Sequence, residues 1–341
     1  MNDKLKIAIL GAGNWSQNVI RNLLKIDDVE LVCCVDIDNS KLDKIRKIVP
    51  YNTQLYTDFH LPLNNPDIDA VIIVTPISTH PQLIQESLIK NKRVLCQKPA
   101  FRTMDEFNKV APLLKTEEGR KLTFMACHTF CYHPAIENIK SKLTPNGLGK
   151  IRYYKSTRIN LGLFYRDNNV CDDLFPHDAS ILCYLFPDEI IDHISATGID
   201  NVRKGLIDTA NITIKYKSGL FANIDLSWIS AVKNRQILIV GDKKTVVYDD
   251  VKTESKVCYY DASVDFDEKL LFSYQKGDMY SPQLSNTEAI ESELRHFFDC
   301  IKTGREPKTG IEHIKKVTEM IELANLSLGG GYGELLAVHP Y

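Results

Sequence analysis

Four short runs, at residues 6–10, 31–35, 70–74 and 93–96, are apolar on both faces, and segments of helical periodicity at 15–25, 40–48 and 80–90 separate them. A strand that is apolar on both faces must be covered on both faces, and a helix after each strand supplies that cover. The pattern predicts a parallel sheet, and right-handed crossovers make it doubly wound. With 341 residues the chain exceeds one ordinary domain, so a second is expected.

The pattern changes near residue 125. A longer alternating run covers 151–160, helical periodicity covers 173–185, and several strands fall between 190 and 247, among them 210–216, 220–228 and 236–240. Lys217-Ser218-Gly219 and Gly241-Asp242-Lys243-Lys244 read as hairpin turns. Helices return at 288–301 and 310–324, and Gly329-Gly330-Gly331 reads as the start of a flexible tail. The expectation is a nucleotide-binding α/β domain over 1–126 and an α+β domain on a mostly antiparallel sheet over 127–341.

Charge narrows the function. Forty-two basic residues against 44 acidic ones leave a net charge of -2, without the basic excess that nucleic acids or membrane surfaces require. No apolar run approaches the ~20 residues of a membrane span, and Met1-Asn2-Asp3-Lys4 leads into the first strand with no apolar export segment. The nine cysteines are odd in number and contain no Cys-x-x-Cys. The reading is a reduced cytoplasmic protein without structural disulfides or a metal site.

Gly11-Ala12-Gly13 follows the first strand and opens the first helix through Asn14, Trp15 and Ser16. Glycine there lets the backbone approach a pyrophosphate, and a helix N-terminus favours the anion. Ser16 stands at the third glycine position, where its hydroxyl either donates to a phosphate or crowds the helix. Asp36 ends the second strand, where a carboxylate can take both ribose hydroxyls. The following Ile37-Asp38-Asn39-Ser40 would repel a 2′-phosphate, so NAD is expected over NADP. The alternative, that Asp36 caps the next helix, is better filled by Asp38, Asn39 or Ser40. Thr75-Pro76-Ile77-Ser78-Thr79-His80 turns at the sheet's carboxyl edge, where it can border the nicotinamide while Ser78 or Thr79 caps the next helix.

Arg93-Val94-Leu95-Cys96-Gln97-Lys98-Pro99 reads as a buried strand ending in a lysine clamped by a proline, at the sheet edge where a ligand would meet it. Asp173 and His177 lie four apart and share a helix face. Such a carboxylate can orient an imidazole that accepts a hydroxyl proton. Oxidising an alcohol with nicotinamide needs that base and a cation for the oxygen, roles that His177 and Lys98 can fill.

These motifs together resemble the glucose–fructose oxidoreductase / inositol dehydrogenase (Gfo/Idh/MocA) family of NAD(P)-dependent sugar dehydrogenases. The resemblance rests on Gly11-Ala12-Gly13, Thr75-Pro76 with His80, Gln97-Lys98-Pro99, and Asp173 with His177, in the family's order. It implies a Rossmann domain and a C-terminal domain whose large open sheet often forms the oligomer interface, hence a homodimer or homotetramer. A narrower resemblance, in Cys127-His128-Thr129-Phe130-Cys131-Tyr132, Ser156-Thr157-Arg158-Ile159-Asn160-Leu161-Gly162, Asn169-Val170 and Leu226-Ser227-Trp228, is to the branch that oxidises UDP-N-acetylglucosamine or its uronic acid at the 3-hydroxyl.

Arg158, Asn160, Arg166 and Asn169 then become candidates for the sugar or diphosphate, since arginine's fork suits phosphate; an exposed strand face and loop is the equal alternative. Lys233 and Arg235 read as charges flanking a strand. Two further departures from the family stand out. Gln97 replaces its glutamate, removing a negative charge from beside Lys98, and Asp172 stands where the narrower branch has an aromatic. The leading expectation is an NAD-dependent dehydrogenase of a nucleotide-linked amino sugar. The alternatives are a dehydrogenase of a free sugar or inositol-like polyol, and a non-catalytic NAD- or sugar-binding protein suggested by Gln97.

Overall fold

The computed structural model describes residues 4–162, 164, 168–266, 272–275, 277–329 and 336–337. The elements run β1 (Leu5–Leu10), α1 (Asn14–Leu23), β2 (Val29–Val35), α2 (Asn39–Arg46), β3 (Gln54–Tyr56), α3 (His60–Asn64), β4 (Ala70–Ile73), α4 (His80–Ile89), β5 (Arg93–Gln97), α5 (Met104–Val110) and β6 (Phe124–Cys127). There follow α6 (Pro134–Lys142), β7 (Ile151–Leu161), α7 (Val170–Leu185), β8 (Ile191–Ile199), β9 (Thr209–Tyr216), β10 (Phe221–Ser227), β11 (Ile229–Gly241), β12 (Thr245–Asp249) and β13 (Val257–Tyr260). The last are β14 (Ser263–Phe266), β15 (Phe272–Gln275), β16 (Met279–Tyr280), α8 (Ala289–Thr303), α9 (Ile311–Gly329) and β17 (Leu336–Ala337). No helix among the described residues is long and apolar enough to cross a membrane.

Contacts divide the chain into two units. The first takes residues 1–132 and 287–319, the second 133–286 and 320–341. Residues 287–319 thus return to the first unit, whereas the division at 126/127 placed them in the second. The reason is packing that no local pattern reveals. The Thr309 hydroxyl donates to the carbonyl of Ala126 in β6, the Ala126 amide donates to the Thr309 carbonyl, and Ile314 joins the apolar cluster beneath the first sheet.

The first unit carries the predicted parallel sheet, in the order β3-β2-β1-β4-β5-β6 with every pair parallel. All four residues of β4 are buried, as the both-faces-apolar run requires. The order reverses between β1 and β4, so the crevice beyond their carboxyl ends is where a doubly wound sheet takes its ligand. Strands β3 and β6 escaped the sequence reading. The first is three residues long, and the second is four residues, Phe-Met-Ala-Cys, with no turn signal at its start.

The second unit carries a nine-stranded sheet, β16-β13-β12-β11-β7-β10-β9-β8-β17. Every pair is antiparallel except β10 with β7. Both predicted hairpin turns are present, between β9 and β10 and between β11 and β12. Helix α7 begins three residues earlier than its apolar period suggests. Asn169 caps it, accepting from the Asp172 amide at 2.9 Å while the Asp172 carboxylate accepts from the Asn169 amide at 3.2 Å. Of the predicted glycine tail, residues 330–331 lie outside the described residues.

A buried ion pair fastens α7 to this sheet. Arg158 in β7 is 3% exposed and Asp178 in α7 is fully buried, with Nε donating to Oδ2 at 2.9 Å. Ser156 and Tyr154, on the same face of β7, donate their hydroxyls to the other carboxylate oxygen. Removing one charge of such a pair strands the other. Arg158→Met should therefore cost about 3–5 kcal/mol of unfolding free energy, and Arg158→Met with Asp178→Leu should cost less than Arg158→Met alone. Denaturant unfolding measures both; a single-variant loss below about 1 kcal/mol would show that the pair does not hold the helix.

Candidate active site

In the first unit, Gly11 has φ +106°, and a Cβ there would lie 2.6 Å from the Val74 carbonyl oxygen. Only glycine lets the β1 exit pass so close to the β4 exit. At Gly13 the space a Cβ would take is open, and Asn14 and Trp15 are exposed at the start of α1. Ser16 differs from its assignment to the pyrophosphate: it is fully buried, and its hydroxyl donates to the Gly13 carbonyl at 2.5 Å. Asp36 accepts from the amides of Ala12 at 2.8 Å and Asp38 at 3.0 Å, tying the β2 exit to the glycine turn. Asp38 caps α2. The Lys41 ammonium lies 3.5 Å from Asp36, a cation that the four-residue window after Asp36 did not include.

The Thr75–His80 turn is tied to the end of β5 through His80. His80 is fully buried, with Nδ1 2.8 Å from the Pro99 carbonyl and Nε2 2.9 Å from the Thr75 carbonyl. Burial lowers its pKa, and the two carbonyls oppose that shift. His80, assigned from sequence to the cofactor, instead joins the β4 exit to the peptide after Lys98. Thr79 does not cap α4; its hydroxyl bonds back to Thr75 and to the Pro76 carbonyl, each at 2.7 Å.

Gln97 uses half of its amide. Oε1 accepts from the Lys98 amide at 2.9 Å, while Nε2 is buried without a hydrogen-bond partner. A glutamate would present an acceptor where this donor stands. The Lys98–Pro99 peptide is cis. Because Gln97 pairs with Cys127 across β5 and β6, Lys98 and His128 follow side by side at the carboxyl edge. His128 is buried with Nδ1 unpartnered, and burial, His313 and Lys98 together hold it neutral.

Behind His128 lies a cluster the sequence reading missed. The His128 and His313 rings are 5.1 Å apart. Glu293, 2% exposed, accepts from the Thr129 hydroxyl at 2.9 Å, and its Oε1 has no partner. Burial pushes the Glu293 carboxyl up to about 8 and the His313 imidazole down to about 4. One signal was legible: Glu293 occupies the same stripe of α8 as Leu294, Phe297 and Phe298, all buried.

In the second unit, α7 presents Asp173 and His177, both partly buried, one turn apart. The Trp228 indole N–H donates to Asp173 Oδ2 at 3.1 Å. Trp228 is itself fully buried, and a Cβ on Gly162 would lie 2.5 Å from its ring. A buried indole N–H needs an acceptor, which was the available hint of this contact. Two residues assigned to substrate are committed elsewhere. Arg158 is locked on Asp178, and Asn169 caps α7 while its Nδ2 donates to Asn325. Asp172 completes that network, accepting from Asn325 at 2.8 Å. Asn160 keeps a buried, unpartnered Oδ1, and Arg166 lies outside the described residues.

Residues 5–125 match the oxidoreductase family, NAD-binding Rossmann fold, and residues 145–247 match the GFO/IDH/MocA C-terminal domain. The chain belongs to the GFO/IDH/MocA oxidoreductase family. It is 24% identical over 350 residues to the scyllo-inositol 2-dehydrogenase (NAD(+)) of Bacillus subtilis strain 168, covering 96% of this chain and 93% of that one. Its fold is similar to that of UDP-N-acetylglucosamine 3-dehydrogenase GnnA from Acidithiobacillus ferrooxidans, with a TM-score of 0.79, 18% identity, and 95% and 98% of the two chains covered. An oxidoreductase from Agrobacterium radiobacter, solved with NAD+, L-tartaric acid and magnesium, is similar at a TM-score of 0.79, 17% identity and 98% of each chain.

As a GFO/IDH/MocA member this chain is an NAD-dependent oxidoreductase, and its first unit fits the cofactor. The open space at Gly13 leaves room at the start of α1, and each Asp36 oxygen, bonded once to an amide, retains a lone pair for a ribose hydroxyl.

The buried acid makes stability depend on pH. Glu293 keeps its proton in the folded state well above the 4.5 at which it ionises unfolded. Its contribution is therefore complete below that pH and is lost as pH rises through about 8. His313, with its pKa lowered, acts oppositely and only below about 6.5. Between pH 6.5 and 8.5 the wild type should lose up to about 1.4 kcal/mol per pH unit, and Glu293→Gln should flatten that slope. Urea unfolding across this range tests the assignment; parallel slopes for the two proteins would reject it.

Proposed function

We propose that this enzyme oxidises a secondary hydroxyl, at C3, of a nucleotide-linked amino sugar such as UDP-N-acetylglucosamine or its uronic acid, with NAD as oxidant. The observation that carries the reading is the Trp228–Asp173 hydrogen bond. Leu226-Ser227-Trp228 belongs to the motifs similar to the nucleotide-sugar branch, and its tryptophan touches the helix that bears the acid/base pair. Two other motifs of that set support it: Gly162 packs on the Trp228 ring, and His128 stands beside Lys98.

In this reading a ring nitrogen of His177 takes the hydroxyl proton. Asp173, itself held by Trp228, orients the ring and stabilises the imidazolium that forms. The Lys98 ammonium binds the oxygen as negative charge develops there. NAD, held by the Gly11–Gly13 turn and Asp36, supplies the hydride acceptor when bound. Gln97 sets the Lys98 amide, and His80 holds the peptide that follows. The reading includes a homodimer or homotetramer formed through the outward face of the second sheet, where Phe221 stacks on Tyr153 and Leu161 is exposed. It places the enzyme in the cytoplasm, in keeping with nine cysteines that form no disulfide.

A second reading, oxidation of a free inositol-like polyol, is favoured by the Bacillus subtilis relative that acts on scyllo-inositol. NADH absorbance with UDP-N-acetylglucosamine, its uronic acid, scyllo-inositol and myo-inositol, each with NAD and NADP, separates the two. We expect turnover of a UDP-sugar with NAD, and turnover confined to inositols would overturn the nucleotide-sugar reading. Lys98→Ala should reduce turnover at least 100-fold, with NAD affinity by fluorescence titration kept within about threefold; near-normal turnover in this variant would remove Lys98 from the mechanism.

A further inference from the structure

The inward face of β7 is read off its alternation. Tyr154, Ser156 and Arg158 are buried beneath α7, and Asn160 is the next residue on that face. Arg235 of β11 stands in register opposite Arg158 and so points to the same face. The two guanidinium groups are neighbours in very different circumstances. Arg158 is neutralised by Asp178 within hydrogen-bond distance.

Arg235 has no comparable partner among the described residues. The Asp250 carboxylate is 3.9 Å from Nη1, and Asp250 also accepts from the Tyr248 hydroxyl and lies 3.9 Å from the Lys256 ammonium. The Nε of Arg235 is buried with no hydrogen-bond partner. Burial and the adjacent Arg158 charge lower its pKa, while Asp250 and Asp173 oppose that shift. Asp173 is the carboxylate on the proposed catalytic helix. The side chain nevertheless remains 30% exposed, so a ligand can reach it. Two acceptors in the same unit are equally unsatisfied: Asn160 Oδ1 on the shared sheet face, and Oδ1 of Asn168, 4% exposed and two residues before α7.

Buried polar atoms without partners are costly, and native proteins keep few of them. Several around one helix call for a ligand that completes them. We infer that Arg235, with Asn160 beside it, recognises an anionic oxygen group of the substrate, a carboxylate or a phosphate, close to the ring being oxidised. A planar guanidinium fork matches either anion. Asn160 Oδ1 accepts from a hydroxyl or amide of the same molecule. Arg158, the arginine that sequence reasoning favoured for this task, is the anchor beneath the site.

This inference rests on the reading of the substrate as a nucleotide sugar, so binding and turnover are measured separately. The NAD-loaded full-length protein is titrated calorimetrically with UDP-N-acetylglucosamine, its uronic acid, D-glucuronate and myo-inositol, and KM and kcat are measured for each ligand that turns over. Arg235→Met should weaken Kd and raise KM for the anionic ligands ~10–100-fold, the range of a lost charge-assisted hydrogen bond. The loss should fall on KM more than on kcat, and Arg235→Lys should recover part of it. A loss confined to the uronates assigns the carboxylate, and an equal loss on both UDP-sugars assigns the diphosphate. An equal loss on myo-inositol, or no loss on any anion, overturns the inference. Should Arg235→Met fail to fold, Arg235→Lys decides by the same criteria, since it keeps the charge without the fork.

If the wild type oxidises neither UDP-sugar, the functional reading fails and the titrations alone judge Arg235. The inference then stands if anion binding depends on Arg235, and falls if it does not or if no anion binds.

Discussion

The second unit depends on one buried ion pair. Arg158 and Asp178 are both removed from water, and each would be costly alone. Their pairing, reinforced by the Ser156 and Tyr154 hydroxyls, sets which face of α7 meets the sheet. Asp178 directly follows His177, and Asp173 lies one turn before His177, so the helix face that buries Asp178 leaves Asp173 and His177 only partly buried. The Asn169 cap, tied to Asp172 and Asn325, fixes the start of the same helix. Polar side chains that look like substrate ligands in sequence are here the means by which the helix is held.

An equivalent economy operates in the first unit. The doubly wound sheet brings the exits of β1, β2, β4, β5 and β6 to one edge, and side chains join those exits to one another. Asp36 bonds the glycine turn after β1 to the exit of β2. His80 bonds the turn after β4 to the peptide after Lys98. The Gln97 and His80 bonds therefore fix the backbone on both sides of Lys98. Two unsatisfied side-chain nitrogens lie at this edge, on Gln97 and His128 beside Lys98, and two more unsatisfied atoms, on Asn160 and Arg235, lie on one face of the second sheet. Buried polar atoms are normally paired, and their exceptions mark where a fold has kept capacity for something it binds.

Most of the architecture was legible because it follows from local periodicity. Strands that are apolar on both faces demand a parallel sheet, alternation demands a half-covered one, and Gly11 at a strand exit demands a close backbone approach. Among the elements that escaped, β3 and β6 are too short for a period to register. The return of residues 287–319 to the first unit also escaped, since it rests on contacts between residues nearly two hundred positions apart, such as Thr309 with Ala126.

The site divides in the same way. Residue types and spacing alone determined the cofactor turn, the lysine at the β5 exit and the Asp173–His177 helix face, because each is set within a few residues of chain. Which polar side chains remain available to a ligand was decided only by the tertiary structure. Motif resemblance favoured Arg158 over Arg235 for the ligand, and the tertiary structure reverses that preference. They differ because Asp178 lies within hydrogen-bond distance of one, while the other's ion pair among the described residues, with the shared Asp250, is 3.9 Å long. A charge is neutralised by what stands beside it in space, and the sequence states only what stands beside it along the chain.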